Sequence, residues 1–182
     1  MTEEADRVHR AILSLGGNVG DVTAGFASAI AALAIHPAIS VAKTSSVWRT
    51  KPWGLEDQPD FLNMAIEVST GLNAGALLDV CLSIEKNHGR VRERRWGPRT
   101  LDIDIIIYDN LTCETERLTL PHPRAHERGF VLAPLCEMAP DAVLGARRAA
   151  DWLRRLPDAA ADWALDEIET ERLRRAMAAE RR

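Results

Sequence analysis

The order of elements along the chain predicts an α/β sandwich of the ferredoxin-like kind, three α/β/α layers around a mixed or antiparallel sheet. Two observations carry this reading. Runs with two-residue apolar alternation are interrupted by two segments of helical periodicity, in the order β-α-β-β-α-β. Turn-forming residues stand at most junctions between them. At 182 residues, with 46% hydrophobic and 27% charged side chains, the chain suits one domain with a sizeable core.

Val8 to Leu15 reads as the first strand, followed by the turn Gly16-Gly17-Asn18-Val19-Gly20-Asp21 with Asp21 as helix N-cap. Val22, Phe26, Ala29, Ile30 and Leu33 recur at helical spacing, and His36-Pro37 ends that helix. A strand is expected over 39–50, then a loop over 51–59 containing Pro, Trp and Gly. Over 60–69, Leu62, Met64, Ile66 and Val68 alternate toward a core, which leaves Phe61 and Asn63 on the opposite face. A second helix spans 74–88, capped by Asn73, with Gly89 at C′ and Leu77, Cys81 and Ile84 as its buried stripe. An aspartate-bearing strand, a short strand over 117–120, the break Pro121-His122-Pro123 and a helix over 131–138 complete a domain of residues 1–150. Residues 151–182 are rich in Ala, Arg and Glu and read as a helical tail without assigned chemistry, its docking residues being Trp152 and Leu156.

Net charge is −4, the first residues are polar and acidic, and no apolar run approaches a membrane span. Cys81, Cys113 and Cys136 are odd in number and widely spaced, as expected of reduced thiols. A cytoplasmic monomer with no membrane or nucleic-acid partner is expected.

The chemistry concentrates between Gly89 and Tyr108. Asp102 and Asp104 lie two residues apart on a strand, so both face one way, about 6–7 Å apart. Leu101, Ile103, Ile105 and Ile107 are expected on the other face, with Ile106 and Tyr108 continuing the aspartate face. Two carboxylates on a rigid strand suit Mg²⁺, which takes few protein ligands and completes its shell with phosphate oxygens and water. Just before them, Lys86, Arg90, Arg92, Arg94, Arg95 and Arg99 stand against a single acid, Glu93. Arginine forks grip phosphate oxygens, and Gly89 and Gly97-Pro98 would let this loop close. Salt-bridged aspartates beside a solvated basic loop would produce the same pattern.

Beyond these residues, the sequence resembles the 6-hydroxymethyl-7,8-dihydropterin pyrophosphokinases of folate biosynthesis. The resemblance runs through Leu-Gly-Gly-Asn-Val-Gly-Asp (15–21), Trp-Arg-Thr-Lys-Pro-Trp-Gly (48–54), Asp-Gln-Pro-Asp-Phe-Leu-Asn (57–63) and Gly-Arg-Val-Arg (89–92). It continues through Arg-Trp-Gly-Pro-Arg-Thr-Leu-Asp-Ile-Asp (95–104), Leu-Pro-His-Pro-Arg (120–124) and Arg-Gly-Phe-Val-Leu (128–132). What it implies is transfer of diphosphate from ATP to the pterin hydroxymethyl group, with two Mg²⁺ on Asp102 and Asp104 and AMP released. Arg90, Arg92, Arg99 and His122 match catalytic positions at the triphosphate. Glu85, Trp96, Ile105, Arg117, Thr119 and Arg128 match nucleotide positions. Thr50, Pro52, Trp53, Phe61, Asn63, Asp102 and Phe130 match the pterin side, where two aromatic faces stack on a flat ring and an amide reads its edge. Phe61 would serve equally well in a core, and Glu85 as a helix-surface carboxylate. The chain departs from some members at Lys51, Trp53, Leu82 and Phe61, and its arginine loop is one residue shorter. The glycine-asparagine turn is read as structural. Two rivals fit less well: an Asp-x-Asp glycosyltransferase needs a larger domain, and a ferredoxin-like RNA-binding module leaves both aspartates unexplained.

Overall fold

Strand β1 (His9–Gly17) is apolar over most of its length because both its faces are covered. Ala11, Leu13 and Leu15 enter one core cluster, and Ile12 enters a second on the opposite face. The computed structural model describes residues 7–52, 57–89, 99–157 and 163–180. After β1 come α1 (Val22–Ile35), β2 (Ile39–Thr44), β3 (Trp48–Thr50), β4 (Phe61–Thr70), α2 (Ala74–Asn87), β5 (Asp102–Tyr108), β6 (Cys113–Glu114) and β7 (Thr119–Leu120). A 3-10 turn at Ala125–Glu127 leads to α3 (Gly129–Met138), β8 (Val143–Leu144), β9 (Arg147–Arg148), α4 (Ala149–Leu153), β10 (Trp163–Leu165) and α5 (Glu167–Glu180).

The main sheet runs β10-β3-β4-β1-β5, with β2 also paired to β4, and every pairing is antiparallel. Helices α1, α2 and α5 cover one face around Phe26, Leu33, Leu77 and Leu173, and α3 and α4 cover the other around Leu132 and Leu135. This is the three-layer ferredoxin-like sandwich. Both expected caps form: Asp21 accepts from the Ala24 amide at 3.1 Å and Asn73 from the Ala76 amide at 2.9 Å. Gly89 takes φ +73° just past α2, where a Cβ would be strained.

Three expectations are corrected. The strand expected over 39–50 is two strands, because the β2–β4 register shifts between Val41 and Lys43 and the chain then leaves the ladder. There the Ser45 hydroxyl accepts from the Ala65 amide at 2.9 Å. The simple alternation of β5 also fails beyond Ile105. A bulge between Ile12 and Leu13 of the β1–β5 ladder sets Ile12 opposite Ile107 but Leu13 opposite Ile105. Ile106 and Ile107 therefore both pack with the α3–α4 layer, and Tyr108 crosses to the α1–α2 side. Its hydroxyl donates to the Leu72 carbonyl at 2.5 Å.

The third correction concerns the tail. Residues 163–165 are a strand, with Trp163 opposite Thr50 and Leu165 opposite Trp48. Helix α5 lies along α1 and sends Leu173 into the larger core cluster. The buried Thr170 hydroxyl accepts from the Val47 amide at 2.9 Å, so the tail also satisfies backbone between β2 and β3. Trp152 does dock, donating from Nε1 to the Leu144 carbonyl at 2.9 Å. Leu173 is only 2% exposed, so Leu173→Ala is expected to cost about 2–5 kcal/mol of folding stability. Urea unfolding of the full chain checks this; a cost within about 0.5 kcal/mol, the range of ordinary surface changes, would mean that α5 is peripheral.

Candidate active site

Cross-strand register builds the site. One row across the sheet reads Trp48, Asn63, Gly16, Asp102, each residue opposite the next on β3, β4, β1 and β5. The neighbouring row reads Ala65, Ser14, Asp104. Residues directly opposite each other share a face, so Asn63 and Asp102 flank a glycine that carries no side chain. Two strand spacings, about 9–10 Å, separate their backbones, and the floor between them is open. A Cβ on Gly16 would stand 3.1 Å from Asn63 Oδ1. Gly16 belongs to strand β1 rather than to the turn expected there, and its part in the site was not foreseen.

The turn that follows holds a loop instead of a ligand. The Asn18 and Val19 amides donate to the Arg99 carbonyl at 2.8 and 3.1 Å, and the Arg99 amide donates to Asn18 Oδ1 at 2.9 Å. Asn18 Nδ2 reaches the other way, to Gln58 Oε1 at 3.2 Å and the Pro59 carbonyl at 3.1 Å. One buried asparagine thus fixes the loops on both sides of the cleft. The close approach requires Gly17, since a Cβ there would lie 2.7 Å from the Thr100 carbonyl oxygen. Held this way, Arg99 turns its guanidinium onto the Asp102 carboxylate.

Helix α3 supplies the opposite wall. Its C-terminal end is tied to the sheet by Glu137, which accepts from the Ser46 amide at 2.9 Å, the Ser46 hydroxyl at 2.8 Å and Trp48 Nε1 at 3.0 Å. At the start of α3, Arg128 lies over the Phe130 ring at 5.7 Å. The cleft between α3 and the sheet is lined by Ser14, Gly16, Thr50, Lys51, Gln58, Phe61, Asn63, Arg99, Asp102, Asp104, Arg128 and Phe130.

The structure therefore gathers Thr50, Phe61, Asn63, Arg99, Asp102, Asp104, Arg128 and Phe130 from the residues singled out in the sequence. Asn63 Nδ2 donates to the Thr50 hydroxyl at 3.0 Å, which sets the amide's orientation. Lys51, one of the departures, lines the cleft as well. Other candidates lie off it. Ile105 is a core side chain. Arg117 pairs with Asp79 on α2 at 2.5 Å, with both groups well exposed. Thr119 sits in the β6–β7 hairpin. Pro52 is half-buried beside Lys51. Glu85 is buried and accepts from the Ile103 amide at 2.7 Å, satisfying the outer edge of β5 beside the aspartates. Trp53, Arg90, Arg92 and Trp96 lie outside the described residues.

Charge in the cleft is opposed. Burial lowers the Arg128 pKa, and Asp104, the next largest influence, acts the other way. His122 stands outside the cleft lining, where burial pushes its imidazole down to about 4 and Arg128 adds to that shift. His122 Nδ1 accepts from the Arg124 amide at 3.3 Å, so the neutral ring carries its proton on Nε2 as a donor. Two carboxylates on one strand face form an all-oxygen donor set, which fits a hard cation such as Mg²⁺ and not a thiolate- or imidazole-bound metal.

The family model described as 7,8-dihydro-6-hydroxymethylpterin-pyrophosphokinase (HPPK) matches residues 12–140. The chain belongs to this family. It is 50% identical over 147 residues to the 2-amino-4-hydroxy-6-hydroxymethyldihydropteridine pyrophosphokinase of Methylorubrum extorquens, covering 81% of this chain and 93% of that one. It is also 50% identical over 128 residues to the enzyme of the same name from Bacillus subtilis, covering 70% of this chain and 77% of that one. Among solved structures, Plasmodium falciparum HPPK-DHPS with pterin and p-hydroxybenzoate superposes with a TM-score of 0.64 at 15% identity. That alignment covers 82% of this chain but only 43% of the longer one, and it supports the fold alone. The family match ends before the tail, so β10 and α5 lie beyond it.

The depressed His122 pKa has a definite consequence for pH. Between about pH 6.5 and 4 the unfolded chain takes up a proton at this histidine that the folded protein refuses. Its contribution to stability is intact above 6.5 and declines as pH falls through that window. An NMR titration of the His122 ring is expected to show a midpoint near 4; a midpoint near 6.5 for that ring would contradict the burial described here.

Proposed function

We propose that this chain transfers a diphosphate from ATP to the hydroxymethyl group of 6-hydroxymethyl-7,8-dihydropterin, with Mg²⁺ required, releasing AMP. The observation that carries this reading is the division of one cleft into two chemistries. Phe61, Phe130, Asn63 and Thr50 bring aromatic faces and an amide to the cleft, while Arg99, Arg128, Asp102 and Asp104 bring charge. A flat donor–acceptor ring suits the first, and a polyphosphate with its counter-cations suits the second.

On the pterin side, the Phe61 and Phe130 faces would stack on the ring, at about 0.5–1.5 kcal/mol each beyond area burial. The Asn63 amide, already held by Thr50, would pair with the ring's polar edge. On the phosphate side, Asp102 and Asp104 would hold two Mg²⁺, which supply charge neutralisation at the phosphate oxygens when bound. The pterin hydroxyl oxygen attacks the β-phosphorus, the bond from that phosphorus to the oxygen bridging to the α-phosphate breaks, and the hydroxyl proton passes to solvent. Such transfer needs positioning and charge stabilisation more than a dedicated base. Arg99 and Arg128, fixed by the Asn18 clamp and by α3, supply positive charge without reorganising, and Arg90 and Arg92 are assigned to the same task. His122 serves as a neutral Nε2–H donor toward the phosphates. Thr119 and Arg117 would meet the nucleotide further out.

Chromatographic separation of nucleotide products tests the reading. Pterin-dependent AMP is the expected product with ATP and Mg²⁺. ADP would indicate transfer of a single phosphoryl group, and neither product would turn the assignment toward a binding module. Asp102→Asn and Asp104→Asn are each expected to lower the rate by about a hundredfold or more while the circular dichroism spectrum stays native. Loss of the fold in both variants would make the aspartates structural.

A further inference from the structure

Trp163 lies in β10, past the last residue of the family match. Its six-membered ring sits directly on Gly129: a Cβ there would fall 2.0 Å from Trp163 Cζ3 and 2.4 Å from Cε3. Gly129 is the first residue of α3, between Arg128 and Phe130, both of which line the cleft. On the sheet side, Trp163 stands opposite Thr50, which stands opposite Phe61. The ring thus lies outside the cleft lining while touching the backbone that carries two of its residues and sharing a cross-strand row with two more.

Several bonds hold β10 in place. The Asp166 amide donates to the Val47 carbonyl at 2.9 Å. Arg49 donates to Asp166 Oδ2 through Nε at 2.9 Å and a terminal nitrogen at 2.7 Å. Asp166 Oδ1 accepts from the Glu169 amide at 3.0 Å at the start of α5. Further along, the Thr23 hydroxyl donates to Glu169 at 2.5 Å and Arg172 donates to Asp21 at 2.9 Å, tying α5 to the beginning of α1. Helix α3 is therefore fixed at one end by Glu137 and braced at the other by a ring that belongs to the tail.

We infer that Trp163 is a positioning residue for the pterin side of the cleft. Its flat ring against Gly129 sets the spacing between Phe130 on α3 and Phe61 on β4, the slot that receives a flat bicyclic ring. The inference rests on the function proposed above. It also accounts for glycine at 129, where any side chain would displace the indole.

The test uses the full chain and steady-state AMP formation, varying pterin and ATP separately. Trp163→Ala is expected to raise the pterin KM by about five- to tenfold, with the ATP KM within about twofold of wild type. Trp163→Phe, which keeps a flat ring on Gly129, is expected to restore most of the pterin affinity. Should Trp163→Ala fail to fold, Trp163→Leu carries the same expectation, because it retains apolar volume without the flat ring. Gly129→Ala adds a second, coupled readout: it is expected to raise the pterin KM alone and to add little in the Trp163→Ala background, where the indole it would displace is gone. A folded Trp163→Ala or Trp163→Leu variant with wild-type pterin KM overturns this inference alone. Equal rises in both KM values, or fully additive Gly129 and Trp163 effects, also overturn it, since a general loosening would produce them. A wild-type chain that forms no pterin-dependent AMP overturns the parent reading, and this inference with it.

Discussion

Strand β1 is hydrogen-bonded along both edges, to β4 and to β5, and those two ladders decide which side chains meet in the cleft. Asn63 and Asp102 are 39 positions apart in sequence and come together because each is in register with Gly16. A one-residue slip of either ladder would send the amide or the carboxylates to the opposite face, among the core leucines. The register is strongly specified, because the same slip would bring Leu62, Met64 and Ile66 out of the core. Burial on one face therefore secures chemistry on the other.

The bulge beyond Ile105 has a place in this scheme. Up to that point β5 alternates strictly, core on one side and aspartates on the other. Past it, Ile106 and Ile107 seal the layer beneath α3, and the polar floor ends. The strand is thus open at its aspartate end and buried at its far end. At its outer edge, Glu85 accepts from the Ile103 amide and the His122 amide donates to the Ile106 carbonyl, so two backbone groups of β5 find partners away from β1. A carboxylate that the resemblance places with the nucleotide is, in this fold, bonded to the strand that carries the aspartates.

The walls depend on longer-range ties. Asn18 joins residues 58, 59 and 99 through one side chain and its backbone amide. Glu137 anchors α3 to the segment between β2 and β3, and Trp163 braces the other end. Asn18 is buried, Trp163 half-buried and Glu137 exposed, and none of the three lines the cleft, so its shape is held from positions outside it. A wall fixed in this way loses little conformational freedom when a rigid ligand enters.

Much of this was legible in the chain. Two-residue alternation marked Phe61 and Asn63 as facing away from the core, and the spacing of Asp102 and Asp104 placed both carboxylates on one side, because strand geometry is local and periodic. The caps Asp21 and Asn73 were readable for the same reason, as each bonds an amide three residues on. What stayed hidden depended on partners distant in sequence. No local pattern announces that Gly16 opens a floor between two strands, that Glu85 bonds the Ile103 amide, or that Glu137 ties a helix to Ser46 and Trp48. The tail was the largest omission: a three-residue strand has too few positions to show alternation, and α5 buries only Thr170 and Leu173 among its described residues. Local periodicity marked the main strands and helices as far as α3, most of the faces they bury and the residue types gathered in the cleft. Register and docking emerged with the folded chain, because they follow from hydrogen bonds and packing between segments as far as 151 positions apart, as Asp21 and Arg172 are.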